Sequence, residues 1–301
     1  MNRYAILLAA AMLLVGSNVG LGKSILMVAP LSVLMLLRFA VAVAALSPCY
    51  RPARLGRLRR AEWWNLFLQA FFGTFLFTLL MLGGTARTSA LAAGVICSAI
   101  PAVVALLSWL WLGERPDRRA LLAIGLTIGG VVLINLARQP VADGNASASA
   151  QPHALLGNLM VLGAVVCESI YVVLSRRLAQ TVEPLTVCAV AHLFGFVLAL
   201  PVCIAGALRF DWHALTLSTW TMIVWYALSA SVFSFWLWMR GISHVPGARA
   251  GAFTAMLPVA ASVYGIAFLG EKPGIAHGLA FVAVLAGVLV ASLAPRQRTA
   301  G

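Results

Sequence analysis

The sequence predicts an all-α integral membrane protein of ten transmembrane helices, built as two five-helix inverted repeats. Three observations carry this expectation. The chain of 301 residues is 62% hydrophobic and only 10% charged, against roughly 45–50% and 25% in a soluble domain, and its mean hydropathy is +0.98. Ten apolar runs come close to the ~20 residues an α-helix needs to cross the hydrocarbon core. A 33-residue stretch recurs 157 residues later without a gap.

The runs are 4–22, 30–50, 62–83, 89–113, 118–137, 154–175, 184–208, 217–239, 248–270 and 274–294. The first follows Arg3 and resembles a signal peptide's apolar region, but its partner later in the chain argues for a retained helix. Between the runs lie Ala29-Pro30, Arg51-Pro52, Gly83-Gly84, Glu114-Arg115-Pro116, Glu183-Pro184 and Glu271-Lys272-Pro273. Proline suits a helix's first turn, where its missing N–H costs nothing. Segment 139–153 is rich in Ala, Ser, Gly and Asn and reads as a flexible linker. The chain therefore divides into a first repeat (1–138), the linker (139–153), a second repeat (154–295) and a tail (296–301).

The formal net charge is +13. With the N-terminus inside, cytoplasmic segments hold 15 Lys and Arg and outer segments 5. The basic excess favours both termini in the cytoplasm, beside anionic headgroups, in a bacterial inner (plasma) membrane. Nucleic acid is not an expected partner; a small molecule and the bilayer are. The five cysteines lie in or beside apolar runs and read as small apolar fillers. No metal-ligand spacing, disulfide framework or ATP-binding loop is seen, and no cofactor is expected.

Residues 84–116 and 241–273 share Gly84/Gly241, Ala93/Ala250, Gly94/Gly251, Pro101/Pro258, Leu112/Leu269, Gly113/Gly270, Glu114/Glu271 and Pro116/Pro273. With small shifts, Pro30-Leu31 aligns with Pro184-Leu185, placing Arg38 opposite His192, and Lys23 aligns with Arg176. Runs 1–5 thus recur as runs 6–10. Five is odd, so the second copy enters the membrane upside down, the architecture of many secondary transporters.

On these motifs the chain resembles the EamA branch of the drug/metabolite transporter superfamily. The residues that carry the likeness are the proline in runs 4 and 9 and the Gly-Glu-(Arg/Lys)-Pro ending both. They are joined by Gly16-Ser17-Asn18, by Pro30-Leu31 with Arg38-Phe39, and by Tyr171 followed by Leu174-Ser175-Arg176-Arg177-Leu178. The resemblance implies a small-metabolite carrier, commonly an exporter of amino acids or their derivatives. It places runs 1, 3, 4, 6, 8 and 9 around a central cavity and run 2 at the periphery. One departure is Glu168, where the family often has Trp; the related position in run 1 is Val15.

Glu168 is the one acid of eight far inside a run, about fifteen residues in, on the order of 20 Å from an end. A carboxylate there costs at least ~2.5 kcal/mol and marks a pathway, a relay or an ion pair. It reads as a proton-coupling site or a clamp for a substrate ammonium, against a structural pair with Arg38 or a permanently protonated acid. Arg38 is the one Lys or Arg deep inside a run, since Arg118, Arg119 and Arg249 stand at run ends. It either anchors run 2 through carbonyls or an acid, or holds a substrate carboxylate. Asn18 and Tyr171 occupy related places and offer an amide and a phenol to a ligand, or bond across helices. Thr78 and Phe235 are partners at the 157 offset. Trp238 is a pathway residue or an interface anchor. Pro101 and Pro258 free the carbonyls of Cys97 and Thr254, giving hinges or static bends.

The leading function is a secondary carrier exporting a small metabolite such as an amino acid. A passive facilitator or channel and a lipid-handling or accessory membrane protein are the alternatives. An enzyme is not expected, since His192 and Glu168 stand apart from any catalytic constellation.

Overall fold

The computed structural model describes residues 3–50, 55, 56, 58–112, 153–178, 181–244, 253, 254 and 256–272, with isolated positions between 125 and 129 and between 274 and 286. The fifth and tenth expected helices, most of the linker and the tail lie outside the described residues. Regular structure within them is all helical. It comprises α1 (Arg3–Leu26), α2 (Leu31–Ala45), α3 (Arg60–Thr85), α4 (Ala90–Cys97), α5 (Ile100–Leu112), α6 (Ala154–Leu178), α7 (Pro184–Leu208), α8 (Leu217–Ile242) and α9 (Met256–Leu269). Five of these, α1, α3, α6, α7 and α8, are long and apolar enough to cross a membrane. The apolar helices α2, α4–α5 and α9 are shorter in their described parts.

The helix starts follow local chemistry. Ser89 accepts a hydrogen bond from the Ala92 amide at 2.9 Å ahead of α4, and Thr216 accepts one from Thr219 at 3.2 Å ahead of α8. Each satisfies an amide that would otherwise lack a partner. Pro184 opens α7 at its first position, and Pro30 immediately precedes α2.

Apolar side chains gain little by leaving lipid for one another, so helices here must associate through close packing and polar contacts. Gly16 shows how close: a Cβ there would lie 2.1 Å from the Leu257 carbonyl oxygen, which seals α1 onto α9. Gly84 does the same for α3 and α6, with the Gly157 oxygen 2.8 Å from its notional Cβ. Large apolar residues such as Val197, Val202, Leu208, Val263 and Phe268 remain exposed, as lipid-facing surfaces should.

The helix packing maps onto itself when the halves are exchanged. α1 packs on α9 and α8, while α6 packs on α4–α5 and α3. α2 and α7 pack on each other, with α2 also touching α8 and α7 touching α3. That pattern is what a two-fold relation between the halves demands.

Two irregularities also recur. Ser98 and Ala99 interrupt the helix just before Pro101, and a turn at Thr254 precedes Pro258. Residues Ala70–Leu76 of α3 and Ser229–Phe233 of α8 wind as π-helix, and the 157 offset superposes them. Hydroxyls supply a local cause. Thr74 donates to the Ala70 carbonyl and Ser229 to the Trp225 carbonyl, each at 2.6 Å. Such back-bonding competes with the helical ladder. Wide turns of this kind are frequent at functional sites.

Candidate functional site: a central cavity with two opposite charges

The two π-helical turns face a cavity between the halves. Gly73 and Thr74 of α3 and Ala230 of α8 line it. α1 contributes Met12, Val15, Asn18 and Val19, α6 contributes Glu168 and Tyr171, and Phe77, Met81, Tyr226, Ser234, Phe235 and Trp238 complete the wall with Arg38. The centres of water-sized molecules have about 50 Å³ there. One water needs ~10–15 Å³ on that measure, so the space suits a few waters or part of a small solute.

Arg38 reaches the wall from the middle of α2. Its Nε donates to Ser231 Oγ at 2.9 Å, Nη1 to Thr78 Oγ1 at 2.7 Å, and Nη2 to the Ala230 carbonyl at 3.4 Å. Thr78 passes the chain on by donating to the Thr74 carbonyl. One side chain thus ties α2 to the wide turns of both α3 and α8. All its hydrogen-bond partners among the described residues are neutral, so its charge is solvated but not cancelled.

Glu168 is 5% exposed and lines the same cavity. Its carboxylate makes no hydrogen bond or ion pair to any described residue, so the expected alternative of a direct pair with Arg38 is not formed. Two polar atoms of the same wall are buried without a hydrogen-bond partner, Asn18 Nδ2 and the Tyr171 hydroxyl. Asn18 is fixed through its other end, where Oδ1 accepts from Ser229 Oγ at 3.0 Å. Tyr171 packs on Phe235 with ring centroids 5.3 Å apart. Buried polar groups without partners are costly, and two of them meet the Glu168 side chain at one space.

Asn18, Glu168, Tyr171, Phe235, Trp238 and Arg38 therefore come together. Thr78 is fully buried just behind the wall, acting through Arg38. Trp238 is buried and donates from Nε1 to Ser175 Oγ at 3.4 Å. A membrane-interface anchor would face lipid, so that alternative is dropped. Pro258 stands outside the wall; Pro101 and Pro258 each follow a break in their helix, and the Pro101 side chain lies outside the described residues.

The wall differs from the resemblance in one respect. Run 2 enters it through Arg38, while the described residues of α4, α5 and α9 contribute none. The reason is small-residue packing. A Cβ on Gly94 would meet Ser262 Oγ at 3.0 Å and the Pro258 carbonyl at 3.2 Å, so α4 and α9 clasp each other behind α1. Ser229, Ala230, Ser231, Gly73 and Thr74 were missed as site residues. Their signal is faint: Gly73/Ala230 and Thr74/Ser231 are small or hydroxyl pairs at the 157 offset, whereas Ser229 is matched by Phe72.

Residues 2–136 and 155–293 match the EamA-like transporter family. The chain belongs to that family. EamA proteins are membrane transporters of the drug/metabolite transporter superfamily, and a membrane location follows. The chain is 32% identical over 292 residues to the uncharacterized transporter YetK of Bacillus subtilis, covering 96% of this chain and 87% of YetK. It is 24% identical over 220 residues to YyaM of the same organism, also an uncharacterized transporter, covering 73% and 70%. One solved chain, described only as a crystal structure of a protein, superposes with a TM-score of 0.65 at 21% identity, covering 97% of this chain and 98% of that one. The likeness shows a shared fold.

Proposed function

We propose that this EamA protein is a secondary carrier that exports a small amphipathic metabolite, an amino acid by class, by alternating access around the central cavity. The observation that supports this reading is the pair Arg38 and Glu168. They are opposite charges on the wall of one cavity, neither neutralised by an ion pair with a described residue. A zwitterion answers both: its carboxylate suits the guanidinium and the free Asn18 amide, and its ammonium suits Glu168. Glu168 also serves as the proton-exchanging group, since an acid inside the membrane marks a relay or pathway.

The carrier has ten spans in two inverted repeats and lies in the cell membrane with both termini in the cytoplasm. The basic-residue bias and the exchange symmetry of the packing support that arrangement. Single cysteines at Ser147 and Arg57 test it, and labelling of both from the same side would overturn it.

The transport reading is tested by counterflow in proteoliposomes against a panel of amino acids, their amides and their decarboxylated amines. The expected substrate carries both charges; exchange of amides and amines as fast as the parent acid would sink the zwitterion assignment. Flux that ignores an imposed pH gradient would favour a passive facilitator.

A further inference from the structure

We infer that Lys23 and Glu271 form a latch across the two halves, closing one end of the pathway, and that it opens once in each transport cycle. This rests on the carrier reading above. Lys23 lies one turn beyond Val19, the last α1 residue in the cavity wall. Its ammonium donates to Glu271 Oε1 at 3.1 Å and to the Thr88 carbonyl at 2.9 Å. Glu271 accepts two more bonds, from the Ala90 amide at 2.8 Å and the Leu91 amide at 2.7 Å. Its carboxylate thus sits on the first turn of α4, where amides without partners and the helix dipole favour an anion. Thr88 extends the cluster by donating from Oγ1 to Asn158 Oδ1 on α6 at 2.7 Å.

Lys23, Thr88 and α4 belong to the first half, Glu271 and Asn158 to the second. Between the cavity and Lys23 the chain is tightly filled. A Cβ on Gly22 would lie 2.7 Å from Leu82 Cδ2 and 3.3 Å from the ring of Tyr226, itself a cavity residue. The end that carries Lys23 is therefore shut by apolar packing and then by ionic bonds between halves. Rocking of one half against the other cannot open that end while those bonds persist.

Three features make the cluster a latch rather than a permanent brace. Lys23 and Glu271 side chains are 18% and 14% exposed, so water can take over their hydrogen bonds when they part, unlike a fully buried pair. Glu271 follows Gly270, whose φ of 64° is the one positive value among the described residues. That joint folds the chain back so that the Glu271 amide donates to the Gly265 carbonyl at 3.0 Å, aiming the side chain from the end of α9 toward α4. Both residues also belong to the duplicated pattern, Glu271 in Gly-Glu-basic-Pro and Lys23 at the place shared with Arg176.

The test uses Ser234→Cys as a reporter on the cavity wall and a membrane-impermeant methanethiosulfonate applied to vesicles of each orientation. The protein with only its own five cysteines gives the background. Adding Lys23→Gln or Glu271→Gln is expected to raise labelling from the Lys23 end about tenfold at equal folded abundance, the shift for one lost charge-assisted bond, and to lower it from the other end. The double variant should do no more than either single change. Unchanged rates, or equal rises from both ends as in general loosening, overturn the latch. A reporter that stays unlabelled from both ends in every background overturns the carrier reading and the latch with it. Should Glu271→Gln fail to fold, bridging Lys23→Cys/Glu271→Cys with a short bifunctional thiol reagent decides. Amino-acid counterflow is expected to stop and return on reduction, and flux that continues through the bridge overturns the latch.

Discussion

The two halves share a backbone plan but present different chemistry to the cavity. At the place eight residues after the opening proline, the first half has Arg38 and the second His192. Arg38 spans α2, α3 and α8 with three hydrogen bonds. His192 is fully buried, bonds only within its own turn through Nδ1 and the Cys188 carbonyl at 2.8 Å, and leaves Nε2 without a partner. Opposite Glu168 stands Val15, opposite Tyr171 stands Asn18, and opposite Phe235 stands Thr78. The repeated parts, wide turns, prolines and small residues, concern how helices bend and pack. Several of the residues that differ between the halves, among them Val15 and Glu168, Asn18 and Tyr171, and Arg38, meet the cavity. On the proposed reading, the duplicated scaffold supplies two equivalent conformations and the unlike side chains supply a site with one positive and one negative pole.

The largest expected effect comes from the negative pole. Glu168→Gln keeps size and hydrogen bonding but cannot exchange a proton. Flux driven by a pH gradient is expected to fall at least ~100-fold, since several kcal/mol ride on a buried charge and its ligand. The measurement is amino-acid flux against imposed pH at equal folded abundance. Unchanged pH dependence would make Glu168 structural. The swap Val15→Glu/Glu168→Val then asks whether the halves are interchangeable; partial recovery of pH-driven flux would show that the acid works from either side of the pseudo-two-fold.

The positive pole comes next. Arg38→Met should weaken exchange of carboxylate-bearing substrates by roughly 10–100-fold, as for one charge-assisted bidentate contact of ~1.5–3 kcal/mol. Exchange of the matching amines should change far less. Equal losses for acids and amines would reduce Arg38 to a strut between α2 and α8.

Gly73→Ala acts through packing. Its Cβ would lie 2.5 Å from the Tyr171 ring, and overpacking of this kind costs ~1–3 kcal/mol. The expected outcome is a lower thermal midpoint in detergent with substrate selectivity kept. A normal midpoint would mean that α3 yields at its wide turn.

Much of this was legible in the sequence, and the limits have physical causes. Span positions follow from apolar run length, which the bilayer dictates, so Arg60–Thr85 and Pro184–Leu208 fall within two residues of their expected bounds. Glu168 stood out in the sequence because a carboxylate inside an apolar run is costly and demands a partner, a proton or water. The wide turns were not, since they arise from hydroxyls such as Thr74 and Ser229 competing for carbonyls, and Ser and Thr are common in ordinary membrane helices. Nor was the route of Arg38 to the cavity, because its partners Ser231 and Thr78 lie 193 and 40 residues away. Lys23 and Glu271 sat in plain view inside the repeat, but only the folded chain brings them together across 248 residues.

The smallest effect is expected at His192, and it tests the comparison most directly because His192 and Arg38 are positional mates. The His192 ring lies against Phe235 at 5.2 Å and Phe39 at 6.2 Å between centroids, a setting that suits an aromatic ring whether or not it carries nitrogen. His192→Phe gives up the bond to the Cys188 carbonyl, a loss of ~1 kcal/mol, and removes the uncompensated Nε2, a gain of similar size. Carbonyl acceptors in a helix already have their amide donor, so Cys188 is not left bare. The net change in stability should stay within ~1 kcal/mol, and counterflow within about twofold of the parent protein. The check is a side-by-side measurement with Arg38→Met in the same proteoliposomes. If His192→Phe cripples transport as deeply as Arg38→Met, the second half contributes a polar contact of its own at this level. The division into a positive half and a negative half would then have to be redrawn around His192.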